Sequence, residues 1–200
     1  MSALETAAGF RVRSGWAATV VVGGSARSPT LLERRILDLS DPAIEESRQP
    51  YHAARGALEE GVAEIRRRAG IVRRVTTRSV ARLLDEHAEA GRRIRAAGLV
   101  VGSLTDPGRI TNPHIRAHAL EGQLFRSVLG AALATHGLDP VTLVERDAYA
   151  EAAHVLKTSQ DELKRKVTAF GRSLEGPWRA DQKLAALVAW VALAQRNTSI

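Results

Sequence analysis

The stretch 98–153 limits what this chain can fold into more than any other part of it. A short apolar run, Leu99-Val100-Val101, breaks at Gly102 and passes into a polar turn, Ser103-Leu104-Thr105-Asp106-Pro107-Gly108. A helical pattern follows from Pro113 to His136 and is closed by Gly137. Val141-Thr142-Leu143-Val144-Glu145-Arg146 then reads as a second strand, and a new helix starts at Asp147. Strand, helix, strand in that order builds a parallel sheet, because the crossover helix packs back on the strands it joins. Ligand positions in such sheets lie at the carboxyl ends of the strands. Both strands carry an acid there: Asp106 just past the first, Glu145 at the tip of the second.

The segments before this unit have other periods. In 9–22, Val12, Trp16, Ala18, Val20 and Val22 recur at period two, which predicts a strand. Gly23-Gly24-Ser25 and Arg27-Ser28-Pro29 make a turn, and 30–39 alternates as a second, antiparallel strand. That glycine turn leads into a strand rather than a helix, so it reads as a hairpin turn and not as a phosphate cradle. Residues 1–8 read as a mobile start. Segment 44–97 reads as a helical insertion. One helix covers 51–69, with Leu58, Val62 and Ile65 on a face; Gly70 interrupts; a second covers 76–97, with Val80, Leu83, Leu84 and Ile94 as its apolar side. Helices at 148–156, 159–170 and 180–195 complete a single domain spanning 1–200.

The chain holds 29 Lys and Arg against 22 Asp and Glu, a net charge of +7. A basic balance of this kind points to a polyanionic partner, DNA or RNA. The densest basic run lies in 66–82, where Arg67, Arg73, Arg74 and Arg78 are the candidate phosphate contacts. The competing reading is a solvated helix face paired with Glu59, Glu60, Glu64, Asp85 and Glu86. No aromatic residue is interleaved with these arginines, so base stacking is not indicated. The absence of cysteine excludes a disulfide, a thiolate metal site and a cysteine nucleophile. The first residues lack a basic-then-apolar signal pattern, and no apolar run reaches membrane-spanning length. The expectation is a cytoplasmic protein with no membrane contact; a homodimer is compatible with it.

The order of pieces in the central stretch resembles the YqgF family. The residues that carry the likeness are Val100-Val101-Gly102-Ser103-Leu104, Asp106-Pro107-Gly108, the helix, and Pro140-Val141-Thr142-Leu143-Val144-Glu145-Arg146 followed by Ala150-Glu151-Ala152. Ala180-Asp181-Gln182-Lys183-Leu184-Ala185-Ala186 is similar to the final D-x-x-A-A helix of that family. The family belongs to the RuvC-like Holliday-junction resolvases. The resemblance implies a ribonuclease-H-like α/β fold: a mixed sheet, an antiparallel hairpin followed by parallel strands, with flanking helices. It also implies carboxylates that hold two divalent cations, one activating water and one stabilising the leaving oxygen. Magnesium suits such oxygen ligands. Glu145 and Asp181 match two of the implied metal and catalytic places, and Asp106 is a further candidate.

The remaining place fails. The opening strand should carry an aspartate, but Ala7, Ala8, Gly9 and Arg11 stand there, and an arginine repels a cation. Val144 replaces the aspartate that precedes the Glu-Arg pair. Three readings stay open: a catalytically impaired resolvase-like protein that binds structured nucleic acid and needs no cofactor; an active magnesium-dependent nuclease completed by Asp106 or Glu5; and a scaffold that kept the fold. Separately, His114, His118 and Glu121 share one helix face at zinc-ligand spacing. No third histidine stands at matching spacing, and paired surface histidines ordinarily bind nothing, so no metal is expected there.

Overall fold

The computed structural model describes residues 4–53, 57–173 and 175–196. Five strands form one mixed sheet in the order β3-β2-β1-β4-β5. β1 (Leu4–Arg13), β2 (Trp16–Gly24) and β3 (Pro29–Asp38) are an antiparallel meander. β4 (Arg92–Val101) pairs parallel to β1, and β5 (Val141–Val144) pairs parallel to β4. α1 (Val62–Glu89) and α2 (Pro113–Ala134) cover one face. α3 (Ala148–Val155), α4 (Gln160–Phe170) and α5 (Ala180–Arg196) cover the other. This is the ribonuclease-H-like mixed sheet that the sequence resemblance implies.

Strand parity sorts the two cores. Ala8, Phe10 and Val12 of β1 join Val80 and Leu83 of α1 and Phe125 and Leu129 of α2. Ala7 of β1 faces the opposite way and meets α5, whose residues 184–193 are all buried. Side chains two apart share a face, so Gly9 and Arg11 also point toward α5. Gly9 and Gly98 are register partners on β1 and β4. A Cβ on Gly9 would stand 1.9 Å from the Ala185 carbonyl oxygen, and one on Gly98 would stand 2.5 Å from Val188 Cγ2. The helix thus lies backbone to backbone on the sheet, and a side chain at Gly9 would meet the backbone of α5 itself.

Three expectations need correction. The single strand expected over 9–22 is two strands joined at Ser14-Gly15, where Gly15 has φ 84. The apolar alternation runs across that turn and hides it. Leu4–Ala8, read as a mobile start, is the first half of β1, so the meander has three strands rather than two. In 44–97 there is one long helix, not two. Gly70 sits inside α1 without breaking it: an internal glycine costs about 1 kcal/mol, and Ile71, Val72, Thr76, Val80 and Leu83 bury a continuous face. Tyr51–Ala53 and 57–61 are a turn closed by a His52–Leu58 bridge, and 92–97 belong to β4. Gly91, at φ 69, ends the helix and admits the reversal into that strand. Among the described residues no helix is long and apolar enough to cross a membrane.

Candidate functional site

Parallel pairing brings the carboxyl ends of β1, β4 and β5 to one end of the sheet. α1 runs back against β4, so its first turns lie at this end, and α2 starts from it. The amino end of α5 reaches the same place, since Asp181 in its first turn contacts β1. Glu145 follows directly on β5, and its N–H donates to Val101 O at 2.8 Å. Two of the sequence-predicted acids, Glu145 and Asp181, are therefore neighbours in space.

Arg11 lies between them. Its side chain is 1% exposed. One terminal nitrogen donates to Glu145 Oε2, and Nε stands 3.9 Å from Asp181 Oδ1. The other terminal nitrogen turns back to the Val12 carbonyl. Arg13, one step further on the same strand face, donates to Asp181 Oδ1 at 2.7 Å. Burial pulls the Arg11 pKa below its ordinary value and Arg13 adds to the pull; Glu145 and Asp181 oppose it. Guanidinium nonetheless stays protonated in proteins, so two cations and two carboxylates balance. Divalent cations bound by carboxylates need oxygen ligands turned toward the ion. Here one oxygen of each acid is engaged by an arginine and the positive charge neutralises the pair, so the residues present do not fit a two-cation centre.

The other candidates are placed elsewhere. Asp106 caps the short 3-10 turn Pro107–Arg109, accepting from Gly108 N–H at 2.9 Å. Glu5 stands at the start of β1, the far end of the strand, 3.8 Å from Arg95. Neither joins Glu145 and Asp181. In α1, at about 100° per residue, Arg67, Arg74 and Arg78 form one stripe opposite the buried Thr76 and Leu83. Arg67 pairs with Glu46 and Glu64. Arg74 and Arg78 are exposed and form no ion pair with a described residue. Arg73 lies on the groove between α1 and α2.

A cleft of about 600 Å3 opens beside this end, lined by Arg11, Arg13, Ser103, Thr105, His118 and Arg126 among others. Three arginines line it and no described carboxylate does. Arg126 is held by Ser103 O at 3.2 Å, and burial lowers its pKa. At the cleft rim, His114 and His118 meet a third histidine, His52, from the turn before α1; ligand atoms of the three lie within 4.8 Å of one another. Residue spacing does not disclose His52, because it comes from an irregular segment far away in the chain. Glu121, wholly buried, accepts at 2.6 Å from His52 Nδ1. Burial raises its carboxyl pKa, against the lowering effect of His52.

No protein-family model matches the chain, and no curated protein sequence matches it. Solved structures do. RuvC of Thermus thermophilus, in complex with a Holliday junction substrate, aligns at TM-score 0.55 and 13% identity, over 97% of this chain and 96% of that one. A second Thermus thermophilus RuvC structure aligns at TM-score 0.54 with the same identity and coverage. The yeast mitochondrial Holliday junction resolvase Ydc2 aligns at TM-score 0.49 and 11% identity, over 98% of this chain and 80% of that one. The fold is that of RuvC over nearly the whole chain.

Proposed function

We propose that this protein binds structured nucleic acid through phosphate contacts at the carboxyl end of its sheet and does not cut it. The observation that carries this reading is Arg11, buried against Glu145 and 3.9 Å from Asp181. Cleavage by two metal ions needs carboxylates free to bridge cations, and Arg11 with Arg13 neutralises both. The same substitution turns the end of the sheet from a cation site into an anion-tolerant one. Arg13 and Arg126 line the cleft, while Arg74 and Arg78 are exposed in the middle of α1. Arginine forks suit phosphate, and phosphate contacts give affinity without reading sequence.

The RuvC structure that shares this fold holds a Holliday junction substrate, so a four-way DNA junction is the first ligand to test. The expected outcome is that the purified chain retains the junction in gel shift at low salt and leaves junctions and RNA–DNA hybrids intact with magnesium or manganese. Absence of binding at low salt would remove the nucleic-acid reading. Cleavage that disappears in both Glu145→Gln and Asp181→Asn would remove the non-catalytic one.

A further inference from the structure

We propose that His52, His114 and His118 form a transition-metal site, fitted to zinc, that clips the turn before α1 to the first turns of α2. The site lies beyond the nucleic-acid reading and does not rest on it. His114 and His118 are four residues apart on α2, so their rings share a face, and their Nε2 atoms stand 3.2 Å apart. Tetrahedral zinc, with nitrogens at about 2.0–2.1 Å, sets its ligand atoms about 3.4 Å from one another. Two of the three donors are thus already at ligating separation.

His52 supplies the third. Its ring centroid is 4.6 Å from that of His118 and 5.4 Å from that of His114. Its side chain is only 7% exposed, and its Nε2 has no hydrogen-bond partner among the described residues. A buried imidazole nitrogen left without a partner is costly, and a metal ion would satisfy it. The opposite nitrogen, Nδ1, is bonded to the buried Glu121 carboxylate. That bond engages Nδ1 and leaves Nε2 as the nitrogen open to a metal, the carboxylate–histidine arrangement common behind zinc ligands. Glu121 Oε2 also stands 3.7 Å from His118 Nδ1, so one carboxylate backs two of the three rings. A divalent ion would in turn offset the buried negative charge of Glu121. The turn is held independently of any metal: Arg68 donates to His52 O at 3.0 Å.

Three protein nitrogens leave a fourth position for water or an anion. Nitrogen ligands alone select zinc or a neighbouring transition metal over magnesium or calcium, which take oxygen.

The test uses tag-free, chelator-treated full-length protein, titrated with zinc against a chromophoric chelator, with cobalt as a spectroscopic probe. The expected result is one zinc per chain and, with cobalt, the visible absorption of a tetrahedral site. His114→Ala and His118→Ala alter exposed positions and leave the fold intact. The double variant loses the cobalt spectrum and tight zinc binding. Glu121→Gln keeps the ligands but removes the charge behind them, and weakens zinc about 10- to 100-fold. No zinc binding by the parent chain, or binding unchanged in the double variant, overturns the site. Unchanged affinity in Glu121→Gln overturns the role given to that carboxylate.

Discussion

Arg11 and Glu145 stand 134 residues apart in the chain, and the guanidinium of one is hydrogen-bonded to the carboxylate of the other at the end of the sheet. Arg11 is buried because β1 is the central strand and its parity points residue 11 under α5. Glu145 is there because β5 ends beside β4. Neither position is adjustable without moving the fold, so the ion pair is fixed by topology. It occupies the place where the resemblance puts a metal-binding acid.

Arg11→Met therefore tests the pair as a stabilising element. A buried charge partner is removed, but Glu145 is 40% exposed and regains water, which limits the damage. The expected loss is about 1.5–3 kcal/mol, the range for a hydrogen bond to a charged group, measured by urea unfolding. A change below about 0.5 kcal/mol would mean that the pair contributes nothing net.

Gly9→Ala and Gly98→Ala test the close approach that holds α5 on the sheet. At Gly9 the added methyl meets backbone atoms of Ala185 and Ala189, which cannot swing aside as a side chain can. Overpacking costs about 1–3 kcal/mol and occasionally more, and Gly9→Ala belongs at or above the upper end. Gly98→Ala meets a Val188 methyl as well as its carbonyl, so part of its clash relaxes. A Gly9→Ala protein as stable as its parent would contradict the close approach.

The strand–helix–strand unit, the closing helix and the acids at the end of the sheet are legible in the sequence. Strand periodicity, helix length and the glycine stops at 102 and 137 report directly on them. The turn at Ser14-Gly15 is not, because period two continues across it and the pair lacks an Asn-Gly or Asp-Gly signature. The strand at 92–97 is masked by a helical face that runs on past Gly91. At the site, Arg11 is legible as a departure from the family pattern. That its guanidinium lies between the two acids is a matter of which strand face it takes, and the period-two pattern begins only after the true start of β1. His52 is illegible because metal ligands from separate segments share no spacing.

The arginines of α1 give a graded salt prediction. Removing one phosphate-bound cation reduces the slope of log affinity against log salt by about 0.9 on duplex DNA. Arg74→Ala with Arg78→Ala removes two exposed arginines that make no ion pair with a described residue, and should flatten the slope for junction binding by nearly twice that amount. Arg67→Ala should do less, because Arg67 is already committed to Glu46 and Glu64. Equal slopes in parent and double variant would place the phosphates elsewhere.

His87, buried on α1, gives the pH dependence a definite sign. Burial holds its pKa below the ordinary 6.5, against the raising effect of Glu33, whose Oε2 is 2.8 Å from Nε2. Arg92 and Arg35 add to the lowering. The unfolded chain then takes up a proton near pH 6.5 that the folded chain refuses, so stability from this residue is complete above 6.5 and is lost as the pH falls below it. In His87→Gln the part of the stability–pH curve that belongs to this residue disappears. A parent curve that is flat or rising on acidification from about pH 7 to about pH 5.5 would show the sign to be wrong.

The last prediction reverses the charge at the end of the sheet. In the parent chain Arg11 and Arg13 balance Glu145 and Asp181 and engage one oxygen of each, so a divalent cation finds no net negative charge. Arg11→Asp with Arg13→Ala leaves three carboxylates on the ends of β1, β5 and α5 and no neighbouring arginine from β1. Without a cation that cluster repels itself and the variant is less stable than its parent. Manganese or magnesium should then bind the native state alone and restore stability. A cation at about tenfold its dissociation constant contributes about 1.4 kcal/mol, which in a chain of this size raises the melting temperature by roughly 3–6 °C. The parent should not shift at the same concentration, and Arg11→Ala with Arg13→Ala, which frees the two acids but adds none, should shift less. A parent that responds as strongly as the charge-reversed variant would show that the guanidinium does not exclude the metal. A folded charge-reversed variant that ignores both ions would show that the three positions do not converge.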